Sequence, residues 1–257
     1  MNRWVAGARP RTLPASVVPV LVGTAAAVGE GDIIGWRMLA ALVVSLALQV
    51  GTNYANDYSD GVRGTDDERV GPVRLVASKL ASPAAVKRAA FLAFGVAALA
   101  GTALALATTP WLFLVGGLAI AAGWFYTGGP KPYGYYGFGE LFVFVFFGLV
   151  ATVGSTFVQI ERITGLSVAA GVAVGFGAVA LLVVNNLRDI PTDRFAGKKT
   201  LAVRIGERRT RGLYVVLVVG ALLVAALTAL DRPPALLAVA SATVSYTHLT
   251  LPTTERV

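Results

Sequence analysis

Acidic residues are scarce in this 257-residue chain, 14 in all, so their clustering is informative. Asn53, Asn56, Asp57 and Asp60 fall at i, i+3, i+4 and i+7, which sets all four on one helical face. Asp66, Asp67 and Glu68 follow shortly after. Asn185, Asp189 and Asp193 fall at i, i+4 and i+8, again one face if the helix continues through Pro191. Each cluster ends a long apolar run, and ionisable groups at membrane depth are functional-site hypotheses by default. Asn53 and Asp57 share their spacing with Asn185 and Asp189, and an even number of apolar runs separates the pairs. Both clusters therefore reach the same side, as in an internal repeat about an axis along the membrane normal, with motifs near 53–67 and 185–199. Carboxylates converging on one cavity repel in a low dielectric, so a cation belongs between them. Oxygen-only ligands suit hard divalent ions, and Mg²⁺ takes one or two carboxylates plus water and phosphate. The chemistry indicated is Mg²⁺ gripping a diphosphate from both sides. The alternative is that the acids pair with Arg and Lys on solvated helix ends. It applies most to Asp66, Asp67 and Glu68, which lack the shared face and the repeat.

Basic residues accompany both clusters. Arg63, Arg69, Arg74 and Lys79 follow the first; Arg188, Lys198, Lys199 and Arg204 surround the second. Such groups bind phosphate oxygens and stabilise a departing diphosphate, or serve as topology charges and headgroup contacts. A third polar segment, Tyr126 to Glu140, is punctuated by Gly and Pro as a loop. Its Tyr133, Tyr135 and Tyr136 line a pocket or form an interfacial belt. The stripe Phe142, Phe144, Phe146 and Phe147 reads as lipid-facing or packing rather than as a substrate wall.

The elements that must position these residues follow from composition. Hydrophobic residues make up 56% and charged residues 14%, against about 25% charged in soluble domains, which excludes a soluble enzyme. There is no Cys and one His, His248, so thiolate, Fe–S, zinc-thiolate and Ser-His-Asp chemistry are excluded. Apolar runs cover 13–29, 37–56, 84–108, 111–126, 138–159, 166–187, 212–230 and 234–244, the last too short to cross a bilayer. The 22 Lys and Arg concentrate in alternate loops, which excludes nucleic acid as their partner and places those loops in the cytoplasm. The fold class is an all-α transmembrane bundle in a lipid bilayer, one domain over 1–244. Residues 245–257 read as a non-native tail resembling a translated sequencing adapter.

These residues resemble the UbiA superfamily of intramembrane prenyltransferases. Its Asn-Asp-x-x-Asp helix end with a further Asp is matched by Asn56, Asp57, Asp60 and a later Asp66 or Asp67; Gly64 stands where the superfamily often has that third acid. Its Asp-x-x-x-Asp is matched by Asp189 and Asp193. Residues 8–16, 53–61, 69–74, 126–130 and 197–204 are similar to the branch that prenylates 1,4-dihydroxy-2-naphthoate in menaquinone synthesis. The resemblance implies a bundle of nine spans, the ninth lying beyond this chain, in the cell membrane, with a site open to the cytoplasm. It implies Asp57, Asp60, Asp66, Asp189 and Asp193 as Mg²⁺ ligands, four of them (Asp57, Asp60, Asp189, Asp193) catalytic. Asn53, Asn56, Arg63, Arg74, Tyr126, Lys131, Asn185, Arg188 and Lys198 would bind substrate, although the Tyr126-to-Lys131 spacing is stretched relative to some members. A polyprenyl diphosphate would donate its chain through an allylic cation to the naphthoate ring, with loss of CO₂ and a proton, leading to demethylmenaquinone. Two rivals stand: another acceptor such as 4-hydroxybenzoate or homogentisate, and a cation transporter. Transporter sites lie at the midplane on broken helices, unlike these helix ends.

Overall fold

A computed structural model describes residues 2–65 and 73–231. Helices α1 (Arg3–Ala8), α2 (Pro14–Ala27), α3 (Gly35–Arg63), α4 (Pro83–Ala107) and α5 (Trp111–Phe125) build the first half. Helices α6 (Gly139–Val143), α7 (Ala151–Ile160), α8 (Gly165–Phe195) and α9 (Leu201–Asp231) build the second. A π-helical stretch, Phe144–Val150, joins α6 to α7. No strand occurs among the described residues, only an isolated bridge between Val28 and Gly31. In hydrocarbon every backbone polar group must be satisfied within its own segment, which helices do. Five helical segments are long and apolar enough to cross a membrane, and α2 and α5 are shorter apolar helices. Leu92, Leu99, Leu106 and Trp111 are more than 70% exposed, as a lipid-facing surface requires.

Helix ends follow local chemistry. Ser82 caps α4 by accepting from the Ala85 N–H, with Pro83 as the first helical residue. Thr164 and Ser167 form a reciprocal capping box on α8. The expected run at 37–56 continues as helix to Arg63, because its polar end is buried and its side chains are partnered there. Gly64, at φ 71°, then closes α3 in the left-handed conformation that glycine adopts without strain. The run at 166–187 likewise continues through Pro191 to Phe195. The Lys198 N–H then turns back onto the Asp193 carbonyl at 2.8 Å. The basic stretch expected as a loop before 212 is helical from Leu201, with a kink at Gly206 (φ 79°, ψ 168°). The expected run at 234–244, His248 and the tail lie outside the described residues.

Small residues let the two halves close. A Cβ on Gly148 would sit 2.5 Å from Gly175 Cα, so the π stretch and α8 touch backbone to backbone. A Cβ on Gly23 would meet the Thr152 carbonyl oxygen, and Thr156 Oγ1 donates to the Gly23 carbonyl at 2.7 Å. These approaches draw α2, α7 and α8 together and bring the C-terminal ends of α3 and α8 to one end of the bundle.

Candidate active site

The polar ends of α3 and α8 face one cavity of about 440 Å³. Asn53, Asn56 and Asp60 line it from α3; Asn185, Arg188, Asp189 and Asp193 line it from α8. Arg74, Lys198, Tyr126 and Tyr135 reach it from the connecting segments. Away from these groups its wall turns apolar, through Leu48, Val44, Phe146 and Phe147 to Val20, Leu104, Leu112 and Val158.

Asp60 is the hub. Its Oδ2 pairs with Lys198 Nζ at 3.1 Å, and its Oδ1 accepts from the Tyr135 hydroxyl at 2.6 Å. Lys198 Nζ also lies 4.8 Å from the centre of the Tyr135 ring, a cation–π contact. The two motifs, far apart in sequence, thus touch directly. Burial, and then the Asp60 charge, push the Tyr135 hydroxyl well above the ordinary tyrosine pKa, so it stays a donor. Burial does the same to Tyr133, with Tyr126 adding to it. Asp189 is held by Arg188 through Nε at 2.7 Å and Nη2 at 3.0 Å, a bidentate pair. Asp193 accepts from Thr200 Oγ1 at 3.4 Å. Asn53 Nδ2 donates to the Ala8 carbonyl at 2.9 Å, tying α1 to the site. Asn56 Oδ1 accepts from Thr127 Oγ1 at 2.7 Å.

Several expected residues stand elsewhere. Asp57 is fully buried and does not face the cavity; its Oδ2 accepts from the Leu75 N–H at 2.8 Å and its Oδ1 from the Val76 N–H at 3.1 Å. Both carboxylate oxygens accept from the backbone, and Asp57, expected as a catalytic and metal residue, stands behind the cavity wall that Asp60 lines. That clamp lays residues 73–81 across the end of α3, where Val76 packs on Gly61, and it delivers Arg74 to the cavity. Arg63 does not line the cavity: its guanidinium lies over the Tyr135 ring, 5.5 Å from its centre, and donates to the carbonyls of Thr127 and Gly129, bracing the turn after α5. Lys131 is exposed and off the cavity wall, as the stretched spacing from Tyr126 allows. Lys79, Lys199 and Arg204 do not line the cavity either. Asp66, Asp67, Glu68 and Arg69 lie outside the described residues. The phenylalanine stripe divides: Phe142, Phe146 and Phe147 line the cavity, while Phe144 packs on Phe176. The wider π turn rotates the stripe relative to an α-helix. Tyr133 and Tyr135 line the cavity and Tyr136 is exposed.

Two residues the motifs did not flag join the wall chemistry. Glu140, buried at the start of α6, accepts from Asn186 Nδ2 at 3.0 Å, and Asn186 lines the cavity. An acid inside an apolar run was itself the available signal.

No group of three or more His, Asp or Glu close enough to hold a metal occurs among the described residues. The donor set nonetheless fits Mg²⁺, because that ion uses one or two carboxylates and takes the rest of its shell from water and substrate phosphate. Asp60, Asp189 and Asp193 offer hard oxygens around one space, with no soft ligand among them.

The UbiA prenyltransferase family model matches residues 16–251. The chain belongs to this family. It is 57% identical over 212 residues to 1,4-dihydroxy-2-naphthoate octaprenyltransferase of Mycobacterium tuberculosis, covering 82% of this chain and 73% of that protein. It is 38% identical to the 1,4-dihydroxy-2-naphthoate octaprenyltransferase of Escherichia coli, over 87% of this chain and 75% of that one. Its fold is similar to a solved UbiA homologue from Archaeoglobus fulgidus bound to GPP and Mg²⁺, with TM-score 0.70. That comparison covers 96% of this chain and 87% of the other at 16% identity, so it bears on fold alone. The expected superfamily and all-α bundle are thereby established for this UbiA-family protein.

Proposed function

We propose that the protein transfers a polyprenyl group from polyprenyl diphosphate to 1,4-dihydroxy-2-naphthoate. The observation that carries this reading is the single cavity: carboxylates and cations from both motifs at one end, apolar wall for the rest. The names of its relatives, at up to 57% identity, support the acceptor. The diphosphate head sits among Asp60, Asp189 and Asp193, with Arg74, Arg188 and Lys198 as cationic partners. Asn56 and Asn185 add polar contacts, Asn53 holds the α1 end of the wall, and Tyr126 belongs to the aromatic part of it. Asp66 or Asp67 completes the first motif. The prenyl chain follows the apolar wall, where each buried CH₂ is worth about 0.8 kcal/mol. Mg²⁺, held by Asp60, Asp189 and Asp193, would neutralise the diphosphate and so favour its departure.

The allylic C–O bond breaks with its electron pair leaving on the diphosphate. The ring carbon bearing the carboxylate bonds to the allylic carbon. The carboxylate leaves as CO₂, and its bonding pair restores the aromatic ring, giving the hydroquinone of demethylmenaquinone. Apolar walls keep water from the cationic carbon. The positive-inside rule, applied to the basic loops, supports a cavity mouth on the cytoplasmic side of the cell membrane. Membranes holding the protein, given labelled polyprenyl diphosphate, should prenylate 1,4-dihydroxy-2-naphthoate in preference to 4-hydroxybenzoate or homogentisate, and EDTA should stop the reaction. Equal use of the three acceptors would overturn the acceptor assignment, and no transfer to any of them would overturn the reaction.

A further inference from the structure

Glu140 is a buried carboxyl at the start of α6, and the reaction as described gives it no role. Its Oε1 accepts from Asn186 Nδ2 at 3.0 Å. With its amide nitrogen committed, Asn186 has its carbonyl oxygen, Oδ1, left over. That oxygen has no protein partner among the described residues, and Asn186 lines the cavity. Asn186 precedes Asp189 by three residues on α8, so it sits about 4.5 Å deeper along the helix. This is the depth at which an acceptor ring must lie if the diphosphate is at Asp189 and its allylic carbon points inward. Aromatic rings line the same cavity beside the start of α6: Tyr133 stacks on Phe142 with centroids 3.9 Å apart, Tyr126 meets Tyr133 edge-on at 5.5 Å, and a Cβ on Gly139, the neighbour of Glu140, would meet Tyr126. All three rings line the cavity.

We propose that Glu140 is a positioning residue that locks the Asn186 amide so that Oδ1 accepts a hydrogen bond from a ring hydroxyl of the aromatic acceptor. The inference rests on the prenyl-transfer reading and deepens it by naming the acceptor's polar contact. An unanchored asparagine presents N–H₂ or C=O with equal ease. An adjacent carboxylate, which only accepts, removes the wrong choice. A site built to accept from a substrate hydroxyl then rejects analogues that lack it.

The experiment compares 1,4-dihydroxy-2-naphthoate with its two monohydroxy analogues, using detergent-purified protein, polyprenyl diphosphate and Mg²⁺. Wild type should favour the dihydroxy acceptor, and one monohydroxy analogue should fall behind the other. E140L should raise the acceptor KM about tenfold, the scale of one lost hydrogen bond, with the diphosphate KM within about twofold. N186A should do the same and should erase the difference between the two monohydroxy analogues. E140Q/N186D keeps the net charge and reverses the pair: the new amide at 140 donates to the new carboxylate at 186, whose second oxygen faces the cavity. This double variant should recover the acceptor KM. If E140L does not fold, N186A and the double variant still decide the matter. An unchanged acceptor KM, a parallel rise in both KM values, or no recovery in the double variant would overturn the inference. A wild-type protein that transfers no prenyl group would instead overturn the reading it rests on.

Discussion

Asp57 and Asp60 stand one helical turn apart, and their geometry assigns them different work. Consider Asp57→Asn. The wild-type carboxylate accepts two backbone N–H groups from inside the protein, at 2.8 and 3.1 Å. An asparagine keeps one accepting oxygen and turns an N–H₂ group toward the other backbone donor. Losing a hydrogen bond to a charged group costs about 1.5–3 kcal/mol, and stranding a buried N–H adds about 1–3 kcal/mol. The variant should therefore lose roughly 2.5–6 kcal/mol, by the same reckoning. The damage should concentrate in residues 73–81, which Leu75 anchors in a cluster with Tyr54, Val86 and Phe94. Activity should fall because Arg74 no longer reaches the cavity. Asp60→Asn should behave in the opposite way, keeping the fold and stopping turnover. The assay is thermal unfolding of both purified variants, with hydrogen exchange on the peptide holding Leu75 and Val76. An Asp57→Asn protein with wild-type stability and wild-type amide protection, yet no turnover, would refute the clamp and return Asp57 to the metal site.

Other outcomes follow from the same geometry. Asp189→Asn and Asp193→Asn should each lower turnover at least a hundredfold while the protein stays folded, measured by product formation and size-exclusion profile. Gly148→Val would drive a side chain into Gly175 and should destabilise the protein by about 1–3 kcal/mol, the range for overpacking, measured by thermal unfolding. Tyr133 and Tyr135 have raised pKa values, so between the ordinary tyrosine value of 10.0 and their own the unfolded chain loses protons that the folded chain keeps. Their contribution to stability is thus full below pH 10 and declines above it, and Tyr135→Phe should flatten that decline in a pH series of unfolding midpoints.

Much of the site was legible because an apolar chain with few acids makes each cluster conspicuous. The four-residue spacing of Asn185, Asp189 and Asp193 became one cavity-facing row, since α8 continues through Pro191. Asn53, Asn56 and Asp60 reached the cavity for the same reason. Asp57 did not. Spacing defines a face, but that face is wide enough to be split between a cavity and a crossing segment. Nothing at 53–60 indicates that residues 73–81 cross there. Arg63 and Lys131 carry the right charge, yet one braces the turn at Thr127 and Gly129 and the other is exposed. The phenylalanine stripe divides between packing at Phe144 and the cavity wall at Phe142, Phe146 and Phe147, a split that a π-helical turn produces without a periodic signature in sequence. Glu140 carried its signal in plain view, as a carboxyl within an apolar run, and its meaning came only with the Asn186 contact.

The central claim is that the two acid-bearing helix ends grip one diphosphate through shared divalent metal. It is tested most directly by the structure of the protein with an unreactive prenyl thiodiphosphate and Mn²⁺, with the metal located by anomalous scattering. The account predicts metal between Asp60 on one side and Asp189 and Asp193 on the other, with Lys198 moved off Asp60. Metal bound at only one motif, or a diphosphate seated away from both, would contradict it.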